Sequence, residues 1–286
     1  VNRIKSIQSS LAIENNTLSL EQVTDVINGK RVLGPQDDIL AVKNAFAVYK
    51  ISPELDPFSL DDLKKAHGVM MNGLVEGAGE LRTGSVGVIN EQGNVIHVAP
   101  PHNMVKVLME QLFDWLKTSK TQMLIRSSIF HYEFEFIHPF MDGNGRTGRL
   151  WQTELLASWK PIFEWIPIES IIKGNQEEYY RAIRLSTAEG KSNRFILFML
   201  GVIKKAVSEL ARDTRDHQSH ISNQIRALMS VIETYPMSAV ELMEKLGLKS
   251  RVTFRKNYIQ PALEAGLIAM TDPDTPTNRN QRYFKI

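Results

Sequence analysis

The sequence predicts an all-α core carrying one small β-hairpin, followed by a small winged helix-turn-helix domain. Three observations lead there. Apolar residues recur at three-and-four spacing through most of the first 215 positions. Within that span only residues 84–100 gather β-branched residues around a turn-forming group. Past a polar, charged run at 212–220, three short helical patterns are followed by strand, loop and strand. The expected divisions are an N-terminal region at 1–35, a main helical domain at 36–215 and the winged module at 216–286.

Taken in order, DLKKAHGVMMNGL (62–74) reads as a helix. GSVGVINEQGNVIHVAP (84–100) reads as a hairpin turning at EQGN. HNMVKVLMEQLFDWLK (102–117) puts Val105, Leu108, Leu112, Trp115 and Leu116 on one face. TQMLIRSSIFHYEFEFI (121–137) follows, with Leu124, Ile125, Ile129 and Phe136 as expected core. GRTGRLWQTELLASW (145–159) is stopped by Pro161, and two further helices span 174–190 and 192–213. The run at 212–220 is either a linker or the end of the last helix. In the tail, ISNQIRALMSVIETY reads as a helix. SAVELMEKLG carries Ser238 and Glu241 as a capping box and Gly247 as a stop. SRVTFRKNYIQPALEAG is a helix bent or broken near Pro261.

Composition narrows the function classes. The 286 residues carry a formal net charge of +2, no signal for polyelectrolyte binding as a whole. There are no cysteines, which removes disulfides, thiolate metal sites and cysteine nucleophiles. No apolar run approaches the roughly 20 residues that span a bilayer. A cytoplasmic protein with no membrane partner is expected.

The densest chemistry lies in HPFMDGNGRTGRL, residues 138–150. Gly143, Asn144 and Gly145 fall where a helix begins, so unpaired backbone N–H groups and a positive dipole end face an incoming anion. Glycine allows close backbone approach. Arg146 and Arg149, three apart, project from one face of the first turn and suit polyphosphate oxygens. Asp142 offers a hard oxygen for Mg2+ bridging phosphates. His138 is a natural proton acceptor near neutral pH. The spacing is neither that of a Walker A loop nor, with no strand ahead of it, that of a dinucleotide-binding fingerprint.

HPFMDGNGRTGR also matches in full the motif H-P-F-x-[DE]-G-N-G-R-x-x-R, and by it the chain resembles Fic domain proteins. The resemblance implies an all-helical core in which two helices flank the loop. It further implies transfer of AMP from ATP to Tyr, Thr or Ser hydroxyls of target proteins and of the chain itself. By position, His138 resembles the general base, Phe140 the aromatic that pins the loop, and Asp142 the Mg2+ ligand. Gly143, Asn144 and Gly145 resemble the anion hole. Arg146 resembles the residue on the β-phosphate side and Arg149 the one reaching the γ-phosphate, with Pro139 and Met141 completing the nucleotide-facing loop. Gly145 favours AMP transfer over the phosphate transfer of a branch with Lys there.

Three more stretches resemble the family. The hairpin, with Val95, Ile96 and His97, resembles a flap that pins a target segment by strand addition. GNQEEYYRAI resembles the stretch lining the adenine and ribose pocket, with Asn175 and Tyr179 as candidates, although the tyrosines fit a core equally well. Glu133, one turn before the loop, is a further candidate. SSLAIENN matches S-x-x-x-E-[GN] through Ser10, Glu14 and Asn15, and resembles the inhibitory motif of the class with its own N-terminal inhibitory helix. The resemblance implies that Glu14 pairs with Arg149 and blocks productive γ-phosphate binding, and that AMP removal is a second activity within reach. The alternative for this segment is a surface helix with Glu14 in solvent.

Residues 218–286 hold nine Lys or Arg and six Asp or Glu. Lys249, Arg251, Arg255 and Lys256 crowd the start of the helix that reads DNA in such modules. Target docking, self-association as a homodimer and DNA binding are all open to it. The function expected is an autoinhibited protein adenylyltransferase using ATP and Mg2+. The alternative is a nucleotide-sensing, DNA-binding transcriptional regulator.

Overall fold

The computed structural model describes residues 2–89, 95–219, 223–273, 275–276, 278 and 280–286, with backbone alone for 87–89, 95–98 and 213–219. Two compact units divide it, at 1–210 and 211–286.

The first unit begins with α1 (Asn2–Ile13), α2 (Leu20–Ile27), α3 (Gln36–Ile51) and α4 (Leu60–Met70). Their starts are written locally. Ser19 and Gln22 form a capping box on α2, and Ser59 accepts from the Asp62 N–H on α4, with Asp61 and Asp62 in its first turn. Sequence periodicity did not pick out α3, and α4 stops at Met70, short of the expected 74, where Gly73 takes φ +72°. The hairpin comprises β1 (Gly87–Ile89) and β2 (Val95–Val98), antiparallel, pairing Gly87 with Val98, Val88 with His97 and Ile89 with Val95 across an irregularity after Val88. Its turn, 91–94, and the side chains of Val95, Ile96 and His97 lie outside the described residues.

Helices α5 (His102–Thr118), α6 (Met123–Ile137) and α7 (Asn144–Trp159) build the centre. A 3-10 turn at Pro161–Trp165 leads to α8 (Ile168–Lys173), α9 (Gln176–Glu189) and α10 (Asn193–Ser219). α10 runs through most of the charged 212–220 stretch, so that stretch is the end of a long helix. On α5 the expected face holds in part: Val105, Leu112 and Leu116 are buried, joined by Met109 and Phe113, while Leu108 and Trp115 are half-buried. On α6 it does not. Leu124, Ile125, Ile129 and Phe136 are only half-buried, while Met123, Phe130, Phe134 and Ile137 face the core. Polar residues are spread round this helix, and Ser127, Ser128 and His131 are buried beside its apolar ones, so its period carries little directional information. α6 packs on α7 most extensively, with Phe130, Phe134, Trp151 and Leu155 fully buried. The Trp151 indole N–H donates to the Pro57 carbonyl at 2.9 Å.

The second unit holds α11 (Asn223–Val231), β3 (Met237–Ser238), α12 (Ala239–Lys245), α13 (Arg251–Phe254), a π-helical turn at Arg255–Ile259, α14 (Gln260–Glu264), β4 (Ile268–Met270) and β5 (Arg282–Lys285). The strands form an antiparallel sheet in the order β3-β5-β4, on a core of Leu228, Leu242, Phe254, Ala262 and Ile268. Short helices and a three-stranded sheet follow the expected order, with one strand, β3, too short to be read from sequence. The capping box of Ser238 and Glu241 forms, and Gly247 ends α12 at φ +65°. The α-helical pattern is broken ahead of Pro261 by the π-helical turn at Arg255–Ile259. The π turn before it lets the backbone absorb the missing N–H and the ring's clash with the carbonyl four residues back.

Candidate functional site

Residues 138–149 join α6 to α7 as expected, in a backbone that needs help to hold. His138 ends α6 in the left-handed region, φ +51°, which disfavours any side chain with a Cβ. Gly143 follows at φ +79°, where a Cβ would lie 2.5 Å from Met71 Sδ. Asn144 is buried and spans the loop, accepting the Phe140 N–H and donating to the Phe140 carbonyl, both at 2.9 Å. Its side chain is thereby committed to shape, and what it can offer an anion is its backbone N–H. Pro139 and Phe140 are buried, whereas Met141 is exposed.

Two residues that sequence reasoning missed anchor this loop. His67 stacks on Phe140 at 3.6 Å between centroids, nearly parallel. Its Nδ1 accepts the Gly79 N–H at 2.9 Å, so the proton sits on Nε2, which donates to the Asp142 carbonyl at 2.9 Å. Burial pushes the His67 imidazole down to about 4, keeping it neutral. Arg82 is buried, and among the described residues its guanidinium meets only backbone carbonyls: His138 at 2.7 Å, Gly84 at 2.8 Å, Pro100 at 2.5 Å and Ile137 at 3.3 Å. Its own N–H donates to the Pro139 carbonyl at 2.9 Å.

The cationic side of the loop is divided. Arg146 has its Nη2 3.4 Å from Asp142 Oδ2, and its Nε is buried with no hydrogen-bond partner among the described residues. Such a donor calls for an acceptor from outside. Arg149 is held on two of its three nitrogens: Nε donates to Ser10 Oγ at 3.1 Å, and Nη2 donates to the Ser10 carbonyl at 3.0 Å and Glu14 Oε1 at 2.7 Å. Burial works against its charge, yet Glu14 holds its pKa above the ordinary value. A Cβ at Gly145 would collide with Glu14 Oε1 and sit 3.0 Å from Arg149 Nη1, so only glycine admits the carboxylate here.

The Ser10, Glu14 and Asn15 pattern has a backbone rationale. α1 ends in a Schellman motif, with Asn16 N–H to Leu11 O at 3.1 Å and Asn15 N–H to Ala12 O at 3.3 Å around Asn15 at φ +64°. Glycine and asparagine are the residues that tolerate that conformation. Donors from another part of the chain finish the helix end: Lys173 Nζ donates to Ala12 O at 2.7 Å, and Gln176 Nε2 to Ile13 O at 3.0 Å.

The remaining candidates scatter. Asn175 caps α9 half-buried, its amide donating to the Ile171 carbonyl at 2.7 Å. Tyr179 is buried in the core: it is 1% exposed and its hydroxyl meets His131 Nε2 at 3.1 Å. Burial raises it well above the usual phenol value. Tyr180 beside it is half-buried, pushed up to about 12 by burial and by Glu14. Glu133 is half-buried and raised by burial. The acid close to the site's cations is Glu135, also missed. Burial opposes its charge, but His131, His138 and Arg149 hold its carboxyl below the ordinary value.

For magnesium the donor set is thin but apt. Asp142 presents an exposed carboxylate whose Oδ1 accepts the Gly143 N–H at 2.6 Å. Among the described residues no group of three or more His, Cys, Asp or Glu could hold a metal. Magnesium bound through one carboxylate and substrate phosphates needs no such group.

Fold and site together define a helical domain whose phosphate-ready loop lies under the chain's own N-terminal helix. The Fic/DOC family matches residues 57–156, and the C-terminal domain of the Filamentation induced by cAMP protein Fic-like family matches 223–284. A crystal structure of a Fic family protein from Desulfovibrio desulfuricans G20 is 47% identical, covering all of this chain and 86% of that one with a TM-score of 0.73. This chain belongs to the Fic family. Fic-1 (residues 134–508) from C. elegans, 22% identical over 71% of this chain and 62% of that one with a TM-score of 0.57, shares the fold. Among curated relatives, protein adenylyltransferase fic-1 of Caenorhabditis elegans is 28% identical over 63% of this chain and 36% of its own length. Protein adenylyltransferase Fic of Drosophila willistoni is 29% identical over 70% of this chain and 40% of its own. The matched region therefore spans about two fifths of those relatives. Among the described residues no helix is long and apolar enough to cross a membrane.

Proposed function

We propose that the chain is an autoinhibited protein adenylyltransferase, moving AMP from ATP to Tyr, Thr or Ser hydroxyls of a target protein and of itself. The observation that carries this is the state of the two arginines. Arg146 keeps a buried, unmatched donor, while Arg149, one turn further on, has its Nε and Nη2 taken by Ser10 and Glu14.

The geometry supports the following roles. The first-turn N–H groups of α7 and Arg146 receive phosphate oxygens. Arg149 joins them only when Glu14 leaves, because a guanidinium held by a carboxylate and a serine cannot clamp a phosphate as well. His138 takes the proton from the attacking hydroxyl as its oxygen bonds to the α-phosphorus and pyrophosphate departs. Asp142 would give magnesium one oxygen, and the metal would neutralise charge along the phosphates. Asn175 and Tyr180 border the nucleotide, with Tyr179 behind them as support. The hairpin edge receives the target segment.

The test is labelled ATP and a gel. Glu14→Gly should raise self-labelling, and adding His138→Ala should remove it, by about 10²–10⁴-fold for loss of a general base. A folded Glu14→Gly protein that labels no better than the parent overturns the autoinhibited reading.

A further inference from the structure

Arg82 contributes nothing to the phosphate side of the site, yet it is among the most committed cations in the fold. Among the described residues it has no carboxylate partner. A buried guanidinium without an acid needs many neutral acceptors, and it finds four carbonyls from three places in the chain. Ile137 and His138 supply two from the C-terminal end of α6, where helix carbonyls lack intrahelical partners and the dipole favours a cation. Gly84 lies just ahead of β1 and Pro100 just after β2, so the other two are the feet of the hairpin.

We propose that Arg82 is the positioning residue that registers the acceptor-docking hairpin against the base His138. This rests on the adenylyltransferase reading. The planar fork of one side chain spans both structures, so the separation between the hairpin feet and the His138 backbone is set by a rigid group and not by two independently moving loops. The same contacts hold His138 in its left-handed conformation: Arg82 Nε binds its carbonyl at 2.7 Å and the Arg82 N–H binds the next carbonyl, of Pro139, at 2.9 Å. A hydroxyl docked on the hairpin then arrives at a fixed place relative to the imidazole. Reaction rate is sensitive to that distance, whereas nucleotide affinity is not.

The contribution is one of geometry and not of charge, which makes lysine the decisive replacement. Its single ammonium keeps the cation but cannot reach both the hairpin feet and the α6 end. In the full chain carrying Glu14→Gly, Arg82→Lys and Arg82→Gln are compared with the parent by amide hydrogen exchange and by steady-state AMP transfer. Exchange should rise together in peptides covering 83–89 and 136–142. The kcat should fall on the order of 10²-fold, with KM for ATP within about twofold of the parent. Exchange rising in one segment alone or in neither overturns the proposal, as does full rescue by lysine or a loss confined to KM for ATP. Should Arg82→Gln fail to fold, Arg82→Lys carries both readouts. If the Glu14→Gly parent transfers no AMP, the adenylyltransferase reading fails, and paired exchange still decides whether Arg82 couples hairpin and loop.

Discussion

The loop at 138–149 and the helix that covers it are anchored by different kinds of contact. The loop is held from beneath by His67 and Arg82, whose partners are backbone atoms that no ligand competes for. α1 is held at its C-terminal end by Arg149, Lys173 and Gln176. One of these, Arg149, is the residue a phosphate would claim. On the proposed reading, a fixed cradle and a removable cover are built from the same hydrogen-bond chemistry and differ only in whether the donor has a second customer. Breaking each anchor should separate the two behaviours.

The largest effect belongs to the cradle. His67→Ala removes a ring stacked on Phe140 and two hydrogen bonds to backbone groups. It should cost about 3–5 kcal/mol and abolish AMP transfer even with Glu14 replaced. Urea unfolding and labelled ATP measure the two losses, and a His67→Ala protein of parental stability would show that the stack does not hold the loop.

The same ring gives the cradle a pH limit. His67 has its native pKa at about 4 against an ordinary value of 6.5, with burial first, Arg146 acting the same way, and Asp142 opposing. The unfolded chain binds more protons between those values, so stability is complete above about pH 6.5 and falls as pH drops toward 4. Up to about 3 kcal/mol is at stake, and His67→Phe should flatten that part of the pH–stability curve. A curve unchanged in slope by His67→Phe would place the titration elsewhere.

The cover should respond in the opposite sense on activity. Glu14→Gly leaves the buried Arg149 without its carboxylate. Because the Glu14 side chain is 35% exposed, the cost should lie below the usual ~3–5 kcal/mol of a buried pair, at about 1–3 kcal/mol. Activity rises while stability falls. ATP with magnesium should then restore more stability to Glu14→Gly than to the parent, since phosphate takes the vacated place on Arg149. Equal thermal shifts in both proteins would separate Arg149 from the nucleotide.

How much of this was legible in sequence depends on what kind of atom the partner is. The loop is a contiguous run of unusual residues, and the Ser10, Glu14 and Asn15 pattern stands in for a Schellman turn and a carboxylate, both of which leave marks on residue type. His67 and Arg82 act on backbone carbonyls 75 and 56 positions away, and a carbonyl is present whatever the residue. Their signal was restricted to a histidine on an otherwise apolar helix face and an arginine just ahead of the hairpin. Tyr179 and Tyr180 were indistinguishable as a pair until the turn of α9 put one against His131 and the other toward Glu14. The buried face of α6 was unreadable because Ser127, Ser128 and His131 are buried on it, so polarity does not betray its orientation.

The smallest expected effect tests whether the cover is held only by its competitor-prone arginine. Lys173 and Gln176 satisfy the Ala12 and Ile13 carbonyls that end α1, and Lys173 Nζ also donates to Gln176 Oε1 at 2.8 Å, so the two act as one latch. Neither touches Arg149 or Glu14 in the contacts that hold the pair. A hydrogen bond of this kind contributes about 0.5–1.5 kcal/mol, which on the equilibrium between covered and open loop is about a 2- to 12-fold change. Lys173→Ala should therefore raise self-labelling by that factor in the chain with Glu14 intact. The same substitution should do nothing once Glu14→Gly has already freed Arg149, because an open loop gains nothing from a looser cover. Equal activation in both backgrounds would mean that Lys173 acts on the nucleotide directly and not through α1.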